Sequence, residues 1–213
     1  MNVMCGFVAA AAMPLIVGST GSFARPVHAD QTYVARLSPL NSKVTGHHAE
    51  GDLRVTVSGD TVTIELDARG LSPGMMHMAH FHGYVSGKSS ACAGASADTN
   101  HDGIIDLAET EPVAGVTMIP LNAAPAELTI AGNGYPIASK DGEIVYKREV
   151  SLRALAREMA EEFDGAAPDL AKRVLFVHGI DAGTPLPKTV ASLPGVPAQA
   201  TLPIACGKLM PEM

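Results

Sequence analysis

Three histidines fall within one short segment, residues 77–82 (HMAHFH). His80 and His82 are two residues apart, so on a β-strand both imidazole rings would project from the same face. Two neutral imidazoles side by side are suitable ligands for copper or zinc. His77 has an odd spacing to both and would face the other side of the strand. The segment alone predicts either a metal site on a strand or a pair of half-exposed histidines.

A second candidate metal site lies at residues 98–109 (DTNHDGIIDLAE). Its oxygen-bearing side chains occupy positions 1, 3, 5, 9 and 12 of the EF-hand calcium loop, and Gly103 occupies position 6, where that loop turns sharply. His101 lies at position 4, which does not bind the ion. Pro112 limits a following helix to about one turn, so we expect a structural loop rather than a sensor. The predicted calcium ligands are Asp98, Asn100, Asp102, the Ile104 carbonyl, Asp106 (directly or through water) and Glu109.

The beginning of the chain predicts export. Residues 5–18 (CGFVAAAAMPLIVG) are apolar and uncharged, and residues 27–29 (VHA) fit a small-x-small cleavage site. We therefore expect a signal peptide at 1–29 and one domain at 30–213. The mature protein would be periplasmic or secreted, with no membrane attachment after cleavage.

The cysteines indicate a disulfide in the mature chain. Cleavage would remove Cys5 and leave Cys92 and Cys206. An even pair of cysteines in an exported protein favours a disulfide over two separate buried thiols. The closed loop would hold about 115 residues. Chain-entropy estimates for a loop of this length give a stabilisation of the folded state of roughly 4–5 kcal/mol.

Composition sets the size of the core and excludes one class of partner. The chain has 213 residues, of which 46% are hydrophobic but only 4% aromatic, so Val, Ile, Leu and Ala must fill the core of a single domain. The net charge is −7. Nucleic-acid binding needs clustered Lys and Arg, so no nucleic-acid partner is expected.

The elements that would position these residues are mainly short strands. The segment 62–66 (VTIEL) alternates apolar and polar residues after a tight turn at 58–60, which is a good hairpin signal. One segment, 151–163, instead has apolar residues at helical spacing and Ser151 as its N-cap. The strand candidates are residues 33–37, 53–57, 62–66, 76–84, 115–121, 126–131, 143–149, 173–180 and 200–206. Many strands with one inserted helix predict an all-β sandwich or barrel.

Several motifs together resemble the Cu/Zn superoxide dismutases. Residues 70–74 (GLSPG) followed by 77–82 (HMAHFH) resemble the GL-xPG and HGFHVH segment of that family. Residues 173–178 (RVLFVH) resemble the strand that delivers a further copper ligand, and 204–207 (IACG) resemble the ACG near its C-terminus. Proteins with a chordin-type domain, which also carry an H-x-H-G strand, are a neighbouring assignment.

The resemblance implies a fold, a metal site and a disulfide. The fold would be all-β, a Greek-key β-sandwich or barrel of the Cu/Zn superoxide dismutase type with one inserted helix. His77 would be structural, and Cys92 would pair with Cys206. The implied copper centre has three histidine ligands, His80, His82 and His178.

The chain also departs from the family pattern. Between His82 and His178 only His101 is available, so the complete zinc site of the family cannot form and zinc is not expected. His101 is the one candidate in that interval for a fourth copper ligand. The family's active-site arginine, three residues before the C-terminal cysteine, is replaced by Pro203.

Two functions follow as expectations. The first is superoxide dismutation at a copper-only site, and the alternative is a non-enzymatic periplasmic copper-binding protein stabilised by calcium. The expected partners are accordingly superoxide or copper ions, with a homodimer as a candidate assembly. A calcium-stabilised structural module without copper is a weaker third possibility, because it leaves His80, His82 and His178 unused.

Overall fold

Antiparallel strands make up most of the chain over residues 30–213, which a computed structural model describes. The strands are β1 Gln31–Pro39, β2 Glu50–Ser58, β3 Thr61–Arg69, β4 Ala79–Gly83, β5 Val116–Pro120, β6 Ile144–Ser151, β7 Val174–His178, β8 Pro203–Lys208 and β9 Met210–Pro211. The α-helices are α1 Ser42–Thr45, α2 Leu107–Ala114, α3 Leu152–Glu162 and α4 Ala198–Thr201, with 3-10 turns at Ala95–Ala97, Pro125–Glu127 and Leu170–Lys172. None of these helices is long and apolar enough to cross a membrane. The predicted signal peptide lies outside the described residues.

The strands form one curled sheet with the order β5-β4-β7-β8-β1-β2-β3-β6, and β9 pairs with β1. Strand β1 joins the two halves, because residues 31–37 pair with β2 whereas Ser38 and Pro39 pair with β8. The neighbours β3 and β6, β4 and β7, and β1 and β8 are not consecutive in sequence, which is typical of Greek-key connections. The predicted all-β fold is thus confirmed, and it agrees with the fold that the resemblance implies.

Strand β4 separates the core from the histidine face. Its Ala79 and Phe81 are buried in the main hydrophobic core, together with Leu175 of the neighbouring β7. Since successive side chains of a strand project to opposite faces, His80 and His82 lie on the other face of β4.

The inserted helix forms as predicted. Helix α3 spans Leu152–Glu162, and the Ser151 hydroxyl accepts a hydrogen bond from the Ala154 N–H at 3.2 Å as an N-cap. Leu155 and Met159, four residues apart, are buried. The helix packs against β6 and the turn at Pro125–Glu127, at the end of the sheet order opposite to β5.

A second helix is longer than predicted. Helix α2 continues for eight residues, Leu107–Ala114, although it contains Pro112. A capping box between Asp106 and Glu109 stabilises its first turn. Proline removes one backbone donor but its fixed φ is compatible with a helix, so the helix continues for two more residues, to Ala114.

The predicted strand at 126–131 is wrong. Residues Pro125–Glu127 form a 3-10 turn, and the segment after it is irregular. The Thr129 carbonyl accepts from the Asn122 side chain at 3.0 Å, and the Ile130 carbonyl accepts from the Tyr135 hydroxyl at 2.9 Å. Side chains therefore satisfy carbonyls that a strand would have bonded to its neighbour.

The predicted disulfide is confirmed. Cys92 is bonded to Cys206, with a Cα–Cα distance of 5.8 Å. Cys206 lies on β8 directly opposite Phe176 of β7, and the two residues share a small buried cluster. The disulfide therefore ties the segment that leads into residues 98–109 to the strand beside the histidine face.

Candidate metal centre

The sheet brings three of the predicted ligands together. His80 and His82 lie on β4, and His178 ends the adjacent strand β7. The His178 ring centroid is 5.1 Å from that of His80 and 6.0 Å from that of His82, and the His80 and His82 centroids are 6.0 Å apart. One ring nitrogen of each residue lies within 4.8 Å of those of the other two. All three side chains are buried, so the arrangement is an interior cluster rather than a surface pair.

Backbone carbonyls set the tautomers of two rings. The Nδ1 of His178 is 2.8 Å from the Thr201 carbonyl oxygen, and the Nδ1 of His82 is 3.3 Å from the Gly115 carbonyl oxygen. A carbonyl oxygen only accepts, so each Nδ1 donates its proton and each Nε2 keeps a lone pair. Hydrogen bonds of this kind orient metal-binding imidazoles.

The donor set fits a metal ion. Both ring nitrogens of His80 and the Nε2 of His178 are buried without a hydrogen-bond partner. A buried polar group left unpaired costs about 1–3 kcal/mol, so several in one place need a compensating ligand. The Nε2 of His82 has only the Thr117 hydroxyl, at 3.3 Å. Three imidazole nitrogens within 4.8 Å of one another are the kind of ligand set that copper or zinc requires.

Burial keeps the three imidazoles neutral. Desolvation lowers the pKa of His82 from 6.5 to about 3, with a further decrease from nearby His178. Desolvation likewise lowers the pKa of His178 to about 4, against the opposing effect of its hydrogen bond to Thr201. The pKa of His80 is well below its ordinary value because of desolvation and then because of the other two histidines. Only the neutral ring can bind a metal, so the site is ready for one at neutral pH.

Two aromatic rings line the histidine cluster, and neither was predicted from the sequence. The Tyr135 ring centroid is 5.3 Å from that of His80, nearly perpendicular to it, and Phe176 is 5.0 Å from His82. Tyr135 is 4% exposed and comes from the irregular connection between β5 and β6. Phe176 precedes His178 by two residues, so strand alternation would have placed it on the histidine face.

His77 faces away from the cluster and contacts its backbone, in agreement with its odd spacing. It is fully buried, with Nδ1 at 3.0 Å from the His178 carbonyl oxygen and Nε2 at 3.1 Å from the Ser72 carbonyl oxygen. His77 therefore connects the turn at 70–74 to the end of β7.

A pocket of about 300 Å³ opens over His82, between α2 and the loop around residues 191–193. Thr117 and the exposed Glu111 line it, and no Lys or Arg is among its described lining residues. The C-cap residue of helix α2, Gly115, lies in the pocket wall, and a helix C-terminus carries partial negative charge. The approach to His82 therefore favours cations over anions.

The second candidate site has the hydrogen-bonded turns of a calcium loop. The Gly103 N–H donates to Asp98 Oδ2 at 3.0 Å, and the Asp102 N–H donates to Asn100 Oδ1 at 2.9 Å. The Ile104 N–H donates to Asp102 Oδ1 at 2.8 Å. The other oxygen of Asp98, Oδ1, is buried without a partner.

The remaining acidic side chains of the loop, Asp106 and Glu109, accept hydrogen bonds from backbone N–H groups. Glu109 accepts from the Thr99 N–H at 2.7 Å, and Asp106 accepts from the Ala191 N–H. In the described residues, 30–213, the ligand atoms of His80, His82 and His178, the histidine trio, all lie within 4.8 Å of one another. The carboxylates of the loop are not gathered in this way. His101 is exposed with a φ of 60°, and the structure does not bring it into the trio.

Comparisons with known proteins give low similarity. No protein-family model matches the chain, and no curated protein sequence matches it. Among solved structures, the Cu/Zn superoxide dismutase from Brucella abortus is 18% identical, over 84% of this chain and 99% of that one, with a TM-score of 0.40. A superoxide dismutase-like protein from Bacillus subtilis is 13% identical, over 83% and 97%, with a TM-score of 0.39. These TM-scores are too low to carry an argument about this chain.

Proposed function

We propose that this protein binds one copper ion through His80, His82 and His178. The observation that carries the proposal is the cluster of three buried neutral imidazoles. One ring nitrogen of each lies within 4.8 Å of those of the other two, and both nitrogens of His80 and the Nε2 of His178 lack a hydrogen-bond partner. For a given set of nitrogen ligands, Cu²⁺ binds more tightly than Zn²⁺. Copper is therefore the metal that this site would retain in competition.

The candidate reaction at this centre is superoxide dismutation. Copper would supply one-electron chemistry, because one superoxide gives up an electron to become dioxygen and a second takes up an electron and two protons to become hydrogen peroxide. The protein's contribution is to hold and orient the ligands. The carbonyls of Thr201 and Gly115 fix two tautomers, and the rings of Tyr135 and Phe176 shield the cluster from water.

The alternative is copper binding without turnover, and the charge of the pocket favours it. Superoxide is an anion, whereas Glu111 and the C-terminal end of α2 make the approach to His82 negative. Pro203 stands where the resembling family has its arginine. Glu111→Lys should therefore raise any dismutation rate, most strongly at low salt, and Glu111→Gln should have a smaller effect in the same direction.

Metal analysis and an activity assay test the proposal. Purified metal-free protein is offered equal copper and zinc, and we expect one copper per chain, lost in His82→Ala and His178→Ala. His101→Ala, in the exposed loop, is the matched control and should keep its copper. A loaded protein without dismutase activity would leave copper binding as the function. Wild-type protein that binds no copper, or binds zinc instead, would overturn the proposal.

We also assign a calcium ion to residues 98–109. The turns around Asp98, Asn100 and Asp102, and the unpartnered Asp98 Oδ1, support this assignment. The proposed ligands are Asp98, Asn100, Asp102, the Ile104 carbonyl, Asp106 and Glu109. Calorimetry should find one calcium per chain, abolished by Glu109→Ala but not by Glu111→Ala two residues later. No heat from the folded wild type would remove the assignment.

The proposed location is the periplasm or the exterior of the cell. The Cys92–Cys206 disulfide supports it, because disulfides persist in oxidising compartments. Cell fractionation should recover the protein outside the cytoplasm with its N-terminus at Asp30. A cytoplasmic protein that begins at Met1 would contradict both expectations.

A further inference from the structure

Met78, which immediately precedes β4, lies opposite the copper ligand His178. The β4–β7 register pairs Ala79 with Val177, and the His178 N–H extends it by donating to the Met78 carbonyl oxygen at 2.8 Å. Side chains that are opposite each other in an antiparallel pair project to the same face. Met78 and His178 therefore share the histidine face.

A second pairing gives the same result from the other side of Met78. Met76 forms a β-bridge with Ile137. The pairing continues by one residue, because the His77 N–H donates to the Pro136 carbonyl oxygen at 3.0 Å. Met78 directly follows His77, and Tyr135 directly precedes Pro136, in a bend of the neighbouring segment. Met78 therefore lies between the segment that carries Tyr135 and the strand that carries His178, and we call these three residues, in the order Tyr135, Met78, His178, the row.

This row lies beside His80. The ring centroids of Tyr135 and His178, the two ends of the row, are 5.3 Å and 5.1 Å from that of His80. Met78, in the middle of the row, is partly buried and is not among the apolar residues that pack on the main core of the described chain. Its side chain therefore belongs to the histidine face of the sheet and not to the main core.

The chemistry of this side chain suits the fourth position at the metal. The trio supplies three nitrogen ligands, and methionine is unbranched and flexible enough to place its sulfur where a ligand is needed. Thioether sulfur is a soft ligand that selects Cu(I). The resembling dismutase segment, HGFHVH, has glycine at this place, so the thioether is a feature of this chain. We infer that Met78 is a fourth copper ligand and stabilises the cuprous state; this rests on the copper site proposed above.

X-ray absorption and copper affinities test the inference. Cu(I)-loaded wild type should show one sulfur neighbour beside nitrogen neighbours, and Met78→Leu should lose the sulfur and keep the nitrogens. Leucine is similar in volume to methionine, so this variant should fold normally. Competition with a chromophoric chelator should show Cu(I) affinity reduced about tenfold or more, with Cu(II) affinity nearly unchanged. A tenfold loss for Cu(I) alone lowers the one-electron potential by about 59 mV.

Two matched controls keep the test specific. Met210→Leu changes an exposed methionine on β9. Met76→Leu changes the methionine two residues before Met78, which alternation along the chain places on the same side. Both variants should retain the sulfur signal and the wild-type copper affinities. Copper bound by nitrogen alone in the wild type, or a sulfur signal lost only in Met76→Leu, would overturn the role of Met78. Wild type that binds no copper would instead overturn the proposed function.

Discussion

The two candidate metal sites differ in how far the fold assembles them. The histidine trio is built on adjacent strands, with buried rings and two tautomers set by backbone carbonyls. The loop at 98–109 has the turns of a calcium site, but its Asp106 and Glu109 side chains are bonded to backbone N–H groups. The first site is organised by the sheet, whereas the second would need an ion to gather its proposed ligands.

This difference follows from the elements that carry the ligands. Strand pairing places residues two apart, and residues opposite each other, at fixed distances whatever they bind. A loop has no such ladder, so its carboxylates repel one another until a cation neutralises them. We therefore expect metal to change the histidine face little and the loop considerably.

Removing the disulfide should have the largest effect, because it joins the two regions. The Cys92→Ala/Cys206→Ala double variant frees a loop with a sequence separation of 114 residues. We expect the free energy of unfolding to fall by about 4–5 kcal/mol, since the unfolded chain is no longer constrained. Urea denaturation measures the change, and wild type kept reduced should match the variant. A loss below about 1 kcal/mol would mean that the disulfide constrains neither region.

Calcium should stabilise the loop side of the molecule. An ion present at 100 times its dissociation constant stabilises the folded state by about 2.7 kcal/mol. Hydrogen exchange should slow in residues 98–109 and stay unchanged in β4, because the strand is already ordered. Glu109→Ala should abolish both the stabilisation by calcium and the slower hydrogen exchange. Equal protection of both regions would show that the loop and the sheet respond as one unit.

Acid should destabilise the histidine side of the metal-free protein. The unfolded chain takes up protons near the ordinary pKa of 6.5, whereas burial lowers the pKa of folded His178 to about 4 and that of His82 to about 3. Between these values the unfolded state binds more protons, so stability falls as the pH falls, by about 1.4 kcal/mol per pH unit for each histidine. Below the folded pKa values the dependence levels off.

The measurement is urea denaturation with a chelator present, from pH 7 to pH 4. His82→Gln should reduce the slope by the contribution of one histidine. His101→Ala, an exposed histidine in the loop, should leave the slope unchanged. A flat profile in the wild type would show that the trio does not stay neutral in the folded state.

Much of the fold was predictable because local patterns agree with it. The alternation at 62–66 and the capped apolar spacing at 151–163 correspond to β3 and α3. The prediction failed at 126–131, where apolar residues alternate but the side chains of Asn122 and Tyr135 bond the carbonyls. No local signal distinguishes a carbonyl bonded by a strand from one bonded by a distant side chain.

The candidate centre was predictable only where spacing determines the face. The H-x-H spacing gives two members, but His178 was available only through the resemblance to the dismutases. Tyr135 lies in an irregular segment and Thr201 ends the short helix α4, and the position of both depends on long-range packing. Local patterns could not predict the pocket over His82 either, because α2 and the loop around residue 192, which line it, are far apart in sequence.

The smallest expected effect concerns a loop that contacts both regions. The Thr189 hydroxyl donates to Asp102 in the proposed calcium loop, and three residues later Ser192 lines the pocket over His82. Thr189→Val removes this hydrogen bond while keeping the shape of the side chain. The bond is exposed, so we expect a loss of only about 1 kcal/mol in the free energy of unfolding.

If the two regions are assembled independently, Thr189→Val changes the rate of copper exchange but not copper affinity. The reason is that the trio is held by β4 and β7, whereas the variant loosens only a wall of the pocket through which copper would pass. Stopped-flow transfer of copper to a chelator should be faster than in wild type, and equilibrium competition should give the same affinity. Thr129→Val, which removes a weak hydrogen bond to the Glu127 carbonyl oxygen and does not line the pocket, is the matched control and should alter neither. A lower copper affinity in Thr189→Val would mean that the loop helps to hold the histidines, and the contrast between a site ordered by strands and a site ordered by its ion would fail.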